Sequence, residues 1–109
     1  MSVAQDRFLE CYAAIATATG RMLAAARAAD WQALDEGERE CNDWIARIER
    51  LGDPDLVLDA PGRRARMDIL RRVLRDDAAI RELLQPWLGQ VDRCLAGAPP
   101  VAGRPGAAP

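Results

Sequence analysis

The chain has 109 residues, which is enough for one domain with a hydrophobic core. Its formal net charge of -2 argues against a general binder of nucleic acid or of anionic membranes. No apolar run approaches the ~20 residues that span a bilayer, and the N-terminus lacks the charged and apolar segments of a signal peptide. We therefore expect a cytoplasmic protein that binds neither membrane nor nucleic acid.

Catalytic and metal-binding residue types are scarce. Histidine and lysine are absent, which removes the commonest general base, the commonest transition-metal ligand and any Schiff-base or P-loop lysine. Cys11, Cys41 and Cys94 lie far apart and form no C-x-x-C pair, so neither disulfides nor a zinc site is indicated. We expect no enzyme activity, no metal and no cofactor.

Two amphipathic helices open the chain, the first over residues 3 to 28 and the second over about residues 31 to 51. Asp30 predicts an N-cap between them, and so short a link favours an antiparallel hairpin. Gly20 indicates close packing of the first helix, and Gly52 predicts the end of the second. The predicted inward residues of the second helix are Leu34, Cys41, Trp44, Ile48 and Leu51, flanked by Ile45.

Residues 52 to 60 predict a connection with a turn at Asp53-Pro54. Its apolar residues Leu56, Val57 and Leu58 are expected to close one end of the bundle. Asp59 predicts the N-cap of a third helix over residues 61 to 95, with a kink near Pro86. The predicted fold is an all-α antiparallel three-helix bundle (up-down-up) over residues 1–96, with a long third helix and a flexible Pro/Gly/Ala-rich tail over residues 97–109.

The third predicted helix has an apolar arc that covers about half of the helical wheel, well beyond the ~100° stripe that one neighbour needs. We expect the other helices to pack against it and to leave an apolar groove for a fourth amphipathic helix. Periodicity alone leaves open that Leu70, Leu74 and Leu88 are ordinary core. The adjoining Asp77 and Arg81 favour a half-exposed groove edge, because unpaired charge is not tolerated in a core.

The charges divide between the last two helices. Residues 30 to 50 carry net -4 and residues 61 to 75 carry net +5, which predicts ion pairs between these helices. The arginines of residues 63 to 75 could instead contact phosphates. They spread around the wheel without interleaved aromatic residues, so a solvated, acid-paired face is the favoured interpretation. Trp31, Trp44 and Trp87 are predicted as core anchors.

Two segments of the sequence carry short motifs in a characteristic order. Residues 29 to 34 place an Asp-Trp pair at the first turn, and Ile48-Glu49 follows in the second helix. In the third helix, Ile69-Leu70 and Leu74 precede the acidic pair, the Leu-Leu-Gln step and the Pro-Trp-Leu of residues 76 to 88. In these motifs the chain resembles the FliT family of flagellar type III export chaperones, and the likeness covers roughly residues 8 to 96 in order and without large gaps.

This resemblance implies a cytoplasmic chaperone that binds the C-terminal helical segment of the filament cap protein, prevents its premature assembly and delivers it to the type III export apparatus. It further implies contacts with the export gate or export ATPase complex and, in some members, with the master regulator of flagellar genes. By position, the implied client-binding groove comprises Ile45, Ile48, Leu70, Leu74, Arg81 and Leu88.

Residues 97–109 depart from the family, whose members have a further C-terminal helix that folds over the groove. Autoinhibition of that kind and the regulator contact, both linked to that helix, therefore stay open for this chain. The groove could remain open, pair with a second copy of the chain as a homodimer or be covered by another molecule. A helical nucleic-acid-binding module and a self-assembling regulatory adaptor are the alternative functions.

Overall fold

The computed structural model describes residues 2–95, with side chains described up to Pro86. Its helices are α1 (Val3–Arg27), α2 (Trp31–Leu51), the short α3 (Pro54–Val57) and α4 (Ala60–Leu95). The predicted all-α bundle is confirmed: α1, α2 and α4 run up, down and up, and residues 2–95 contain no strand. The predicted connection contains α3 as an additional single turn. The predicted tail lies outside the described residues.

The turn between α1 and α2 is set by local hydrogen bonds. The Asp30 N–H donates to the Ala25 carbonyl at 2.9 Å, and Ala29 adopts a left-handed φ of 55°, so α1 ends in a Schellman motif. The Asp30 carboxylate then accepts from the Ala33 N–H at 3.1 Å, which confirms the predicted N-cap of α2. These two caps reverse the chain within three residues and thereby make α1 and α2 antiparallel neighbours.

Helix α1 is the centre of the bundle, and the expectation that the last long helix would be the centre is wrong. α2 and α4 each pack along α1, whereas they scarcely approach each other. Small side chains on α1 make this possible: Ala16, Ala18 and Ala25 are all buried. Alanines on α1 allow both α2 and α4 to approach its backbone closely. An argument from the number of large apolar residues on each helix does not detect this property.

Two apolar clusters hold α2 and α4 on α1. Near the start of α1, Phe8 and Tyr12 pack with Leu58, supported by partly buried side chains that include Ile48 and Leu70. Near its end, Leu23 and Ala26 pack with Ile80, supported by residues that include Met22, Leu34 and Leu84. α1 and α4 are therefore parallel. The stretch of α1 between these clusters lies beneath the gap between α2 and α4.

A buried polar contact fixes where α4 begins. Gln5 is 2% exposed, and its side-chain oxygen accepts from the Asp59 N–H at 2.8 Å. The Asp59 carboxylate accepts from the Gly62 N–H at 2.8 Å, which confirms its predicted capping role. Of the three apolar residues expected to close this end of the bundle, Leu58 is buried and Val57 half-buried. The expectation for Leu56 is wrong, since it is 85% exposed.

The predicted ion pairs between the acidic second helix and the arginine-rich last helix do not form among the described residues. α2 pairs with α1 through Arg21 and Glu40, at 2.7 Å. At the start of α4, Arg66 pairs with Asp55 of α3 at 3.2 Å, and Arg71 pairs with Asp68 within α4 at 3.4 Å. The reason is geometric: α2 and α4 lie on separate flanks of α1, so their charges face solvent or α1.

Candidate functional site

The gap between α2 and α4 forms an apolar groove whose floor is α1. Ile15, Thr19 and Met22 recur at spacings of four and three residues and so share one face of the helix. Ile15 and Thr19 are buried and Met22 is half-buried. The Thr19 hydroxyl donates to the Ile15 carbonyl at 2.8 Å, which leaves the floor with little unsatisfied polarity.

Helix α2 forms one wall of the groove. Its contribution is Glu38, Cys41, Asn42 and Ile45, again at helical spacings of three and four. The Cys41 sulfur lies 3.8 Å from the Met22 sulfur and 3.7 Å from the Thr19 hydroxyl, so this wall is seated directly on the floor. Ile45 is 44% exposed. The polar residues Glu38 and Asn42 are exposed and give the wall a hydrophilic rim.

Helix α4 forms the opposite wall with Val73, Leu74 and Asp77. Val73 is half-buried, while Leu74 is 66% exposed although it is one of the larger apolar side chains of the chain. Asp77 pairs with Arg81 one helical turn further on, at 3.0 Å. This pair marks the rim of the groove, so the α4 wall is apolar towards the floor and charged towards solvent.

The resulting groove has a volume of about 260 Å³ and is open to solvent along one side. It exists because both neighbours of the floor are bound to α1 and not to each other. Ile45 and Leu74, which face it from opposite walls, would lie in a sealed core if α2 and α4 packed together. An elongated apolar cleft between helices is the kind of surface that binds the apolar face of an amphipathic helix.

The six predicted site residues fall into three groups. Ile45 and Leu74 both line the groove. Ile48 and Leu70 are half-buried and pack against the cluster of Phe8, Tyr12 and Leu58, next to the groove along α1. Arg81 is exposed and pairs with Asp77 at the rim of the groove. The side chain of Leu88 is outside the described part of α4.

Sequence reasoning did not assign the floor of the groove. By helical periodicity Ile15 and Met22 fall on the apolar face of the first helix, and Thr19 carries no signal of its own. Their periodicity shows that they share a face, but no sequence pattern shows that the two helices covering this face stand apart.

The predicted tryptophan anchors are only partly buried: Trp31 and Trp44 are half-buried, and the Trp87 side chain is outside the described set.

The described residues offer little other chemistry at this site. Within residues 2–95, no group of three or more His, Cys, Asp or Glu side chains could hold a metal ion. No helix in this part of the chain is both long and apolar enough to cross a membrane. Three of the six arginines of residues 63 to 75 are engaged locally: Arg63 donates to the Leu58 carbonyl at 2.8 Å, and Arg66 and Arg71 pair with acids.

The fold and the groove define a class, that of small helical bundles with an open apolar groove between two of their helices. A comparison with protein families identifies the particular one: the model of the family described as flagellar protein FliT matches residues 9–98. The chain therefore belongs to the FliT family of flagellar chaperones, as the sequence resemblance predicted. No curated protein and no solved structure matches it.

Proposed function

We propose that this protein binds the C-terminal helical segment of the flagellar filament cap protein in the groove between α2 and α4. Binding keeps that segment from assembling before export and delivers it to the type III export apparatus. The open apolar groove, in a chain that belongs to a family of flagellar chaperones, is the observation that carries the proposal. The mechanism is helix-in-groove recognition and requires neither catalysis nor a cofactor.

Two exposed side chains anchor the client. Ile45 and Leu74 are 44% and 66% exposed, so each has apolar surface that a bound helix would remove from water. At about 25 cal/mol per Å², completing the burial of such a side chain contributes about 1 to 2 kcal/mol. The cost of ordering the client offsets part of this gain, so several apolar contacts along the groove are needed for stable binding.

The remaining proposed contacts extend the groove along its axis. Ile48 and Leu70 continue the apolar surface towards the cluster at the start of α1, with part of each side chain still accessible. Arg81, held by Asp77 at the rim, is available to a carboxylate of the client. Leu88 follows Arg81 by about two turns of α4. The client-binding set is thus Ile45, Ile48, Leu70, Leu74, Arg81 and Leu88.

The decisive experiment is the substitution Leu74→Asp, followed by co-purification with the cap protein and calorimetric titration of its C-terminal segment. A carboxylate at this position must be desolvated when a client covers it, and none of the residues that line the groove with Leu74 is a cation that could compensate. We expect binding at least tenfold weaker, which corresponds to about 1.4 kcal/mol. Helicity by circular dichroism should stay unchanged, since Leu74 is exposed in the free protein.

Leu56→Asp is the matched control. It introduces the same charge at a leucine that is 85% exposed but lies on α3, away from the groove. This variant should bind the client as the wild type does. If Leu74→Asp binds at wild-type strength, or if Leu56→Asp weakens binding equally, the groove is not the client site.

Delivery to the export apparatus is tested in cells by the amount of cap protein secreted. A chaperone that protects and delivers its client should lose both functions when Leu74 is replaced, so secretion should fall together with client binding. A pull-down of export gate or export ATPase components should then depend on the client-loaded protein. Self-assembly is the competing use of the groove, and a stable dimer that excludes the client in sedimentation experiments would favour it.

A further inference from the structure

A second hollow lies on the other flank of α2, away from the groove. Its residues on α1 are Arg7, Glu10 and Cys11, and on α2 Trp44, Arg47, Arg50 and Leu51. Its volume is about 350 Å³, near the lower end of the range for ligand pockets, and it is open to solvent. Cys11 is buried, while Trp44 and Leu51 are half-buried, so apolar surface remains accessible at its base.

Three arginines surround this apolar base. Arg7, Arg47 and Arg50 are all exposed, and none forms an ion pair with another described residue. The Arg47 guanidinium lies 4.3 Å from the centre of the Trp44 ring, so these two lining residues form a cation–π contact. Glu10 is the one carboxylate among the lining residues. The hollow is therefore locally basic in a chain whose net charge is -2.

We propose that this hollow is a second docking site, for a short acidic protein segment in which glutamate or aspartate flanks a large apolar side chain. The apolar side chain would cover Trp44 and Leu51, and the flanking carboxylates would meet Arg47, Arg50 and Arg7. Arginine forms bidentate hydrogen bonds with carboxylates, which gives such a site geometric selectivity as well as attraction. The site is distinct from the proposed client groove, so the protein could hold two partners at once.

Charge complementarity argues for an acidic peptide over a nucleic acid. Three arginines and one glutamate attract isolated carboxylates, but they do not form the extended basic track along which a phosphate backbone binds. The apolar base also needs an apolar partner, and a single aromatic or leucine side chain fits a volume of about 350 Å³. A second copy of the chain is a weaker candidate, because a two-fold dimer through this surface would place the arginines of one hollow against those of the other.

The probe is the synthetic peptide acetyl-Glu-Glu-Leu-Phe-Glu-Glu-amide, titrated into the full chain and followed by tryptophan fluorescence and calorimetry. Two peptides serve as comparisons, one with glutamine for every glutamate and one with alanine for the Leu-Phe pair. We expect saturable binding of the acidic apolar peptide. Its affinity should fall at least about tenfold when the salt concentration is raised from about 50 to about 500 mM. Both comparison peptides should bind at least tenfold more weakly.

The protein variants locate the site. The double substitution Arg47→Glu with Arg50→Glu should abolish peptide binding, since it reverses the charge at the hollow. Arg64→Glu with Arg75→Glu is the matched control, because both arginines are exposed on α4 outside the hollow and the change in net charge is the same. Leu74→Asp should leave peptide binding intact, which separates this site from the client groove.

Several outcomes would overturn the proposal. These are absence of saturable binding at millimolar peptide, equal binding of the glutamine peptide, and undiminished binding to the Arg47 and Arg50 double variant. Tighter binding of a six-nucleotide single-stranded DNA than of the peptide would assign the arginines to nucleic acid instead. A concentration-dependent dimer abolished by the same double variant would assign the surface to a second copy of the chain.

Discussion

The seam between α1 and α2 and the seam between α2 and α4 differ in kind. At the first, Gly37 is buried against the Met22 side chain, the Cys41 and Met22 sulfurs are 3.8 Å apart, and Ala18 has no exposed surface. At the second, Ile45 and Leu74 face each other across open space. Small residues on α1 let two helices pack on its flanks, and the surplus apolar surface is then left between those outer helices.

The largest expected loss of stability comes from a substitution in the closed core, in contrast to the open groove. Phe8 is 1% exposed and packs with Tyr12 and Leu58. Phe8→Ala should lower the free energy of unfolding by about 3 to 5 kcal/mol, through lost apolar burial and a residual cavity. For a domain with a stability of about 5 to 15 kcal/mol, this removes a large fraction of the total. Urea unfolding followed by circular dichroism measures it.

Leu56→Ala is the control for this measurement. The side chain of Leu56 is 85% exposed, so its removal should change the free energy of unfolding by less than about 0.5 kcal/mol. A loss below about 1 kcal/mol for Phe8→Ala would mean that the cluster at the start of α1 is not a packed core. The groove next to it would then lose its rigid support.

An intermediate effect probes the closed seam between α1 and α2 at Gly37. A Cβ at Gly37 would clash with Met22 Cγ and lie 3.4 Å from Met22 Sδ. Gly37→Ala should therefore lower the free energy of unfolding by about 1 kcal/mol, because overpacking exceeds the gain in helix propensity. With Met22→Ala also present, the same change should become stabilising. Thermal or urea unfolding of the four proteins forms a double-mutant cycle.

Gly20 provides the matched substitution on α1. A Cβ there would have its nearest neighbours, side-chain atoms of Arg72 and Asp76, at 4.0 Å. Gly20→Ala should raise the free energy of unfolding by about 0.5 to 1 kcal/mol, since only the entropic cost of a helical glycine is removed. If both glycine variants shift stability in the same direction, the close approach of Met22 to Gly37 does not determine the effect of a Cβ at Gly37.

Local signals predicted the helices well. Asp30, Gly52 and Asp59 set helix ends through hydrogen bonds with residues a few positions away, so their roles can be deduced from sequence. The exposure of Leu74 could also be anticipated, because the apolar arc of the third predicted helix was too wide for its neighbours to cover.

The arrangement of helices could not be predicted in the same way. Whether α1 or α4 is central depends on which faces approach closely, and buried alanines such as Ala18 add little to an apolar pattern. For the same reason the close approach was assigned to Gly20, whereas the structure places it at Gly37. The floor of the groove could not be predicted either. Ile15 and Met22 are core positions on a helical wheel whether or not the two helices that flank them meet.

The smallest expected effect tests the open seam by itself. Leu74→Asp should change the free energy of unfolding by less than about 0.5 kcal/mol, because the side chain is 66% exposed and few contacts are lost. Urea unfolding of the free protein measures this, with the client absent. A loss of 2 kcal/mol or more, on the order of a buried leucine, would show that the groove closes in solution and that Leu74 belongs to the core. If the free energy of unfolding is nearly unchanged while Leu74→Asp binds the client more weakly than the wild type, Leu74 is exposed in the free protein and contacts the client in the complex.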